Sequence, residues 1–492
     1  MGSQKYAGWR KPESTGMIPG LSSGMSMAAV GAMALAIGSA YLLNSMTGAI
    51  VILVVAALLI GPSMIRFRGT SAGDYFISWL RSLPIRRQMA HRYRTGLFAH
   101  VPGGHSRLPG LAAPIILDRL FDPITGDDIG ALVNLIHRTV TIVMNISVTG
   151  RDTQPESTTD AQVAGWGEFV RRAGAFGDVA GIAVVTDTVP ETGARYNVEI
   201  DKRRHEAAPD LVLDVMDDRT GNLATDRIRY VQRISVTFRY SGGNFRSGIE
   251  SLARRLEALT DAAAGAGLFA SFATVGEIIA YTHAAFNPAA GPILDKAMAL
   301  NDGDPGITWN DAGPTYHDDE YSYYLHDSGK SFTFRAWDYP VQPIEDDVLD
   351  ELLASTYRAP YKRVTMIYRP YRPHDAKEIT DSDYRDAFAA VQRRKRGVVD
   401  ANQRMRFDDI EAARDDLAEG HGLTRVGVLV TVTVPVGASG MDETSFIRAA
   451  GVAASIKFAP CYSDQAAMFL AALGIGVYPD MDETDVTDIL SD

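Results

Sequence analysis

The sequence holds one cysteine, Cys461, in 492 residues. A single thiol excludes an internal disulfide and a cysteine-built zinc cluster, and it fits a reducing compartment. A His-Glu-x-x-His pair and a Gly-x-Gly-x-x-Gly run are both missing, and the ten histidines show no metal-ligand spacing. Net charge is unevenly spread along the chain. The formal total is −12, yet residues 1–107 carry eleven lysines and arginines against two acids, Glu13 and Asp74. That segment is +9, which leaves −21 for the remainder, so a basic end adjoins an acidic body.

Several motifs match in letters only. Gly329-Lys330-Ser331 resembles the end of a phosphate-binding loop, but the glycine required five positions earlier is Tyr324. Gly20-Leu21-Ser22-Ser23-Gly24 has the spelling of a nucleophile elbow without the strand that must precede it. His317-Asp318-Asp319-Glu320 is an acidic knot that could hold a cation, although a solvated loop is the simpler reading. Asp442-Glu443-Thr444 reads as the start of a helix. No residue is singled out as catalytic, cofactor-binding or metal-ligating, and the expectation is a protein that is not an enzyme and needs no cofactor.

What the chain does have is two long uncharged stretches, Met25 to Leu43 and Gly48 to Ile65, joined by Asn44-Ser45-Met46-Thr47. Each matches the ~17–25 residues needed to cross a bilayer. The expectation is a transmembrane helical hairpin over 25–65. Basic residues flank both outer ends, so both termini are expected in the cytoplasm of a multi-pass protein of the inner (plasma) membrane. A secretory signal peptide would explain the first run but not the second. A hairpin buried in a globular body fits poorly, because both runs are apolar on nearly all faces. Gly24, Ala28, Ala32, Ala36 and Ala40 form a small-residue stripe. It suits close helix packing, either on the protein's own second helix or on a partner's.

Beyond the hairpin, Phe76, Trp79, Leu80 and Leu83 share a helical face and Arg81, Arg86, Arg87, Arg92 and Arg94 accompany them. Trp79 and these arginines suit a helix lying on anionic lipid; an amphipathic helix packed on the body is the equal alternative, and nucleic acid is a weaker one. The Gly/Pro-rich stretch from Val101 to Leu120 reads as a linker. Strand patterns follow at Thr139 to Val148, Val179 to Val185, Val231 to Tyr240, Arg363 to Arg369 and Val426 to Val436. Tyr321 to Tyr324 and Ser331 to Trp337 flank the turn Asp327-Ser328-Gly329 as a hairpin. Helical patterns lie at Asp160 to Ala175, Pro209 to Asp218, Ser247 to Ala264, Asp347 to Ser355, Asp381 to Glu419, Thr444 to Ala454 and Ala466 to Ala472. The expected fold class is α+β: the transmembrane hairpin followed by ferredoxin-like α+β cytoplasmic domains. The chain divides into an N-terminal segment (1–24), the hairpin (25–65), a basic interfacial segment and linker (66–119), two α+β subdomains (120–300 and 301–479) and an acidic tail (480–492). No internal repeat of close sequence identity is visible.

The opening Tyr6-Ala7-Gly8-Trp9, then Gly20-Leu21-Ser22 and the hairpin, resembles an actinobacterial family of conjugative-element, type IV secretion-like membrane proteins. The first hundred residues are also similar in layout to the small two-helix membrane subunit of those systems. The body resembles the non-ATPase N-terminal domain of VirB/TrbE/CagE-type ATPases, through Leu252 to Glu257, Thr274 to Ile279 before Ala285-Phe286-Asn287-Pro288, and Phe332 to Pro340. Phe469 to Leu473 stands where that family nears its motor domain, which this sequence lacks. The resemblance implies a scaffold at the inner membrane that docks a separate motor ATPase and other channel subunits. Membrane lipid and a second copy of the chain complete the expected partners, with no direct nucleic-acid contact. The membrane subunit of a type VII secretion apparatus and an unrecognised membrane-bound enzyme are the alternatives.

Overall fold

The computed structural model describes residues 23–42, 46–64, most of 66–71 and 79–95, and 108–478 apart from short stretches at 123–125, 148–154, 223–226, 242–244, 341–346, 394–400 and 419–422 and a few single positions. Its strands, in chain order, are β1 (Arg66–Phe67), β2 (Thr70–Ser71), β3 (Arg92–Arg94), β4 (Ile115–Phe121), β5 (Asp128–Asn134), β6 (Thr139–Ser147), β7 (Val179–Pro190), β8 (Ile228–Arg239), β9 (Phe269–Phe272), β10 (Tyr316–Asp319), β11 (Tyr324–His326), β12 (Gly329–Asp338), β13 (Lys362–Pro370), β14 (Thr424–Pro435) and β15 (Lys457–Pro460). β1 and β2 form a two-stranded ribbon. The other thirteen make one antiparallel sheet in the order β3-β10-β11-β12-β14-β13-β7-β8-β6-β5-β4, with β15 on β12 and β9 on β6.

That order contains a duplication. β4 to β9 and β10 to β15 follow the same path: a hairpin strand pair, then four strands whose neighbours run fourth, first, third, second. The registers agree residue by residue. Ile234 of β8 lies opposite Met144 and Val184, and Met144 opposite Phe272. Val430 of β14 lies opposite Phe334 and Val364, and Phe334 opposite Pro460. Val184 and Val364 are therefore equivalent, and so are their successors Val185 and Thr365. These last two face each other where β7 pairs β13. Equivalent residues opposite one another in an antiparallel pair mark a local two-fold axis, the arrangement an isologous dimer would have, here within one chain.

The two faces of the sheet differ. On one, Ile142, Met144, Ile182, Ile234 and Val236 pack beneath helices Glu156–Ala175, Phe245–Ala253 and Leu256–Gly265. Phe334, Val364, Val428 and Val430 do the same beneath Met441–Ala453. The opposite face is rich in hydroxyls. Thr141 bonds Thr237 (2.8 Å), Thr333 bonds Thr431 (3.1 Å) and Ser331 bonds Thr433 (2.7 Å). Helices Val275–Phe286 and Gln465–Ala472 and the chain to Tyr478 lie over this face; Thr365 donates to the Ala472 carbonyl (2.7 Å) and Tyr478 meets Thr237 (3.2 Å). Gly476 has a left-handed φ of +82°, and a Cβ there would lie 2.2 Å from Thr141 Oγ1, so only glycine suits this close crossing.

The expectation of ferredoxin-like cytoplasmic domains behind a transmembrane hairpin is corrected to this large antiparallel sheet, one sheet shared by both halves. The β7–β13 pairing joins residues about 180 positions apart, which no local pattern signals. Helices Ser23–Leu42 and Met46–Met64 do form and pack together, with Ala36 and Ser39 buried between them. Yet among the described residues no helix is long and apolar enough to cross a membrane. The transmembrane assignment and the multi-pass inner-membrane placement with both termini cytoplasmic are corrected accordingly.

Candidate functional site

Alternation along β8 sends Ile234 and Val236 into the helix-covered core and Arg233 to the opposite face. β7 presents Asp187 and β13 presents Arg363 to that same face, directly opposite each other in the register. Arg363 Nε donates to Asp187 Oδ1 (2.6 Å), and the Arg233 guanidinium donates to Asp187 Oδ2. Arg233 also lies over the Tyr281 ring of helix Val275–Phe286, 4.1 Å from its centroid. These groups line a cavity of about 720 Å³ between the sheet and helices Val275–Phe286 and Gly291–Leu300. Burial by itself would raise the Asp187 carboxyl, but Arg363 and Arg233 outweigh it and hold the group below its ordinary value. Burial pushes the Tyr281 hydroxyl up to about 12, so it stays protonated. At the cavity mouth Arg229 donates to Asp295 (3.2 Å) and lies 3.9 Å from Glu191.

A second polar cluster lies beneath the two crossing helices. His326 bonds the Phe286 carbonyl through Nδ1 (2.6 Å) and Ser331 through Nε2 (2.7 Å). His317 Nδ1 bonds the Tyr324 hydroxyl (2.6 Å). Burial lowers both histidines to about 4, so they are neutral near pH 7. Nearby Asp319 is raised to about 7, mainly by burial, while the Ala466 amide it accepts from pulls it back down. Cys461 is buried and its thiol is pushed up to about 12, which leaves no thiolate for nucleophilic chemistry.

The residues the sequence singled out fall elsewhere. Ala36 is buried and Ala32 and Ala40 are half-buried along the helix pair, while the burial of Gly24 and Ala28 lies outside what is described. Arg81 is also outside them, Arg87 is exposed, and Trp79 is about half exposed. Arg86, Arg92 and Arg94 meet the protein's own acidic edge. β3 pairs with β10, Arg86 bonds Glu320 (3.0 Å), Arg92 bonds Asp318 (3.0 Å), and Arg94 covers the Tyr316 ring. The acidic knot is thus strand β10 and its end, with Asp318 buried, and not a solvated loop. His91, Asp318 and Glu320 come within reach of one ion, but Arg92 and Arg86 already supply positive charge to both carboxylates. Gly329-Lys330-Ser331 opens a hairpin strand: Lys330 reaches the Ala438 carbonyl and Ser331 is buried, which leaves no phosphate cradle.

Asp187, Arg233, Arg363 and Tyr281 escaped the sequence reading. The alternation of β8 was visible, but an arginine at a polar position looks the same whether that face meets water or a covering helix. The structure's second layer decides which. Neither a known protein family nor a curated protein matches the chain.

Proposed function

We propose that the chain is a non-enzymatic scaffold subunit of a conjugative, type IV secretion-like assembly that docks a separate motor ATPase. The observation that carries this reading is the exposed apolar surface of the N-terminal helix pair, where Met33, Leu35, Ile37, Val51 and Val54 are all about half exposed or more. Exposed apolar surface of this kind marks an association site. The connector behind the pair is tied to the body through β3 and the Arg86 and Arg92 ion pairs. Two further features support the reading. The −21 charge carried beyond residue 107 suits a protein-binding surface, and the buried histidines His317 and His326 are held in hydrogen bonds within the fold.

The test is mild crosslinking of the tagged full-length chain in its own cells, followed by purification and identification of partners. A motor ATPase in near-stoichiometric amount is the expected result, together with no nucleotide hydrolysis by the chain alone. Recovery of the chain without any ATPase, or turnover of ATP by the purified chain itself, overturns the proposal.

A further inference from the structure

Of the charged groups that line the 720 Å³ cavity, three share one buried contact: Arg233 and Arg363 with Asp187 alone between them. Two guanidinium groups against one carboxylate leave one positive charge in excess. Arg233 is only 3% exposed, so that charge has little water to spread into. The other carboxylates on the cavity are engaged elsewhere: Asp295 and Glu191 by Arg229, Glu277 by Asn145 and by its own helix N-terminus. Two buried donors at the contact have no hydrogen-bond partner among the described residues, Arg233 Nε and the Tyr281 hydroxyl. Ala280, Ala284, Pro288, Pro292, Leu294 and Met298 add apolar lining to the same cavity.

We infer that this cavity is a binding site for a small organic anion whose carboxylate or phosphate group meets Arg233 and Tyr281 and whose apolar body lies against the helix Gly291–Leu300 wall. The excess charge calls for one negative charge, and a guanidinium with a neighbouring phenol offers an oxyanion two charge-assisted donors. A cavity of this volume, lined by apolar side chains and a few polar groups, has the form of a small-molecule site. Ligand closure here would act on the joint between the two units, because Asp187 and Arg363 belong to the two strands that meet at the local axis.

The experiment uses the full-length chain with two probes, sodium benzoate and sodium phosphate, each titrated at constant ionic strength against chloride. Melting temperature and calorimetric heat are the readouts. Saturable binding of at least one probe, with a rise in melting temperature, is expected. Benzoate without phosphate assigns a carboxylate ligand, and phosphate without benzoate assigns a phosphate. Arg233→Met leaves the Asp187–Arg363 pair matched one to one, so it should fold and lose binding. Tyr281→Phe keeps the ring under Arg233 and removes one donor, for an expected affinity loss of ~10-fold or more. Absence of saturable binding by the wild-type chain, or binding by Tyr281→Phe equal to wild type, overturns the proposal. A rise in melting temperature that is the same in Arg233→Met as in the wild type shows a general salt effect and overturns it too.

Discussion

Asp187 accepts from two arginines on two different strands, so removing it differs from removing either partner. Asp187→Ala leaves two guanidinium groups buried together without a counter-charge, and such a loss costs ~3–5 kcal/mol. Urea unfolding followed by circular dichroism should show a midpoint lowered accordingly; a change under ~1 kcal/mol would show that the pair carries little. His326 and His317 give the molecule an acid response. Their folded pKa values of about 4 lie below the ~6.5 of an unfolded histidine, so their stabilisation is present above pH 6.5 and is lost as pH falls towards 4. Asp319, raised to about 7, works in the opposite sense: the folded state holds its proton more tightly, which favours folding as pH falls from 7 to 4. Two histidines outweigh one aspartate, so these three groups together cost ~3 kcal/mol between pH 6.5 and 4. His326→Gln should flatten the profile of melting temperature against pH across that window; an unchanged slope would remove His326 from the account.

At the scale of elements, helix Val275–Phe286 begins with a reciprocal cap. Thr274 Oγ1 accepts from the Glu277 amide (3.2 Å) and Glu277 accepts from the Thr274 amide (3.0 Å). Thr274→Ala should destabilise the chain by ~1 kcal/mol, measured as a shifted denaturation midpoint with unchanged slope. An effect below ~0.3 kcal/mol would mean that packing of Phe286 and Ile278 alone fixes the helix. The longer strands were legible: β6, β7, β8, β13 and β14 overlap the stretches read as strands, of which only Val231 to Tyr240 was read by alternation. So were the Asp327-Ser328 hairpin turn and the helices around residues 160–175 and 466–472. Within the span from residue 381 to 419, the described residues belong to two packed helices, Pro373–Arg393 and Ala401–Ala418. β4 was hidden in a Gly/Pro-rich stretch, because turn residues before it masked seven residues of strand. β9 and β15 have only four residues each, too few to show a period, and exist because a long neighbour pairs with them.

Across the whole molecule the two duplicated units exchange covering segments. The chain from Leu473 to Tyr478, which follows the second unit, crosses the first unit's polar face, where Gly474 approaches Val185 and Gly476 approaches Thr141. In return, Phe286 of the first unit reaches His326 and Phe469 of the second. With the continuous β7–β13 pairing, this predicts that residues 108–478 unfold as one body. Scanning calorimetry of the full chain should give a single transition for the sheet; two resolved transitions of similar enthalpy would show that the halves melt independently.

The sequence by itself determined the longer strands, the two apolar N-terminal helices and the charge division near residue 107. These are set by local periodicity and composition. Tertiary structure alone decided that the two halves share a sheet, that Arg86 and Arg92 spend their charge on Asp318 and Glu320, and that Asp187, Arg233 and Arg363 meet inside a cavity. Each of those outcomes depends on residues far apart in the chain becoming neighbours. Backbone pairing and burial on both faces of a sheet produce that proximity, and neither leaves a signature in the order of nearby residues.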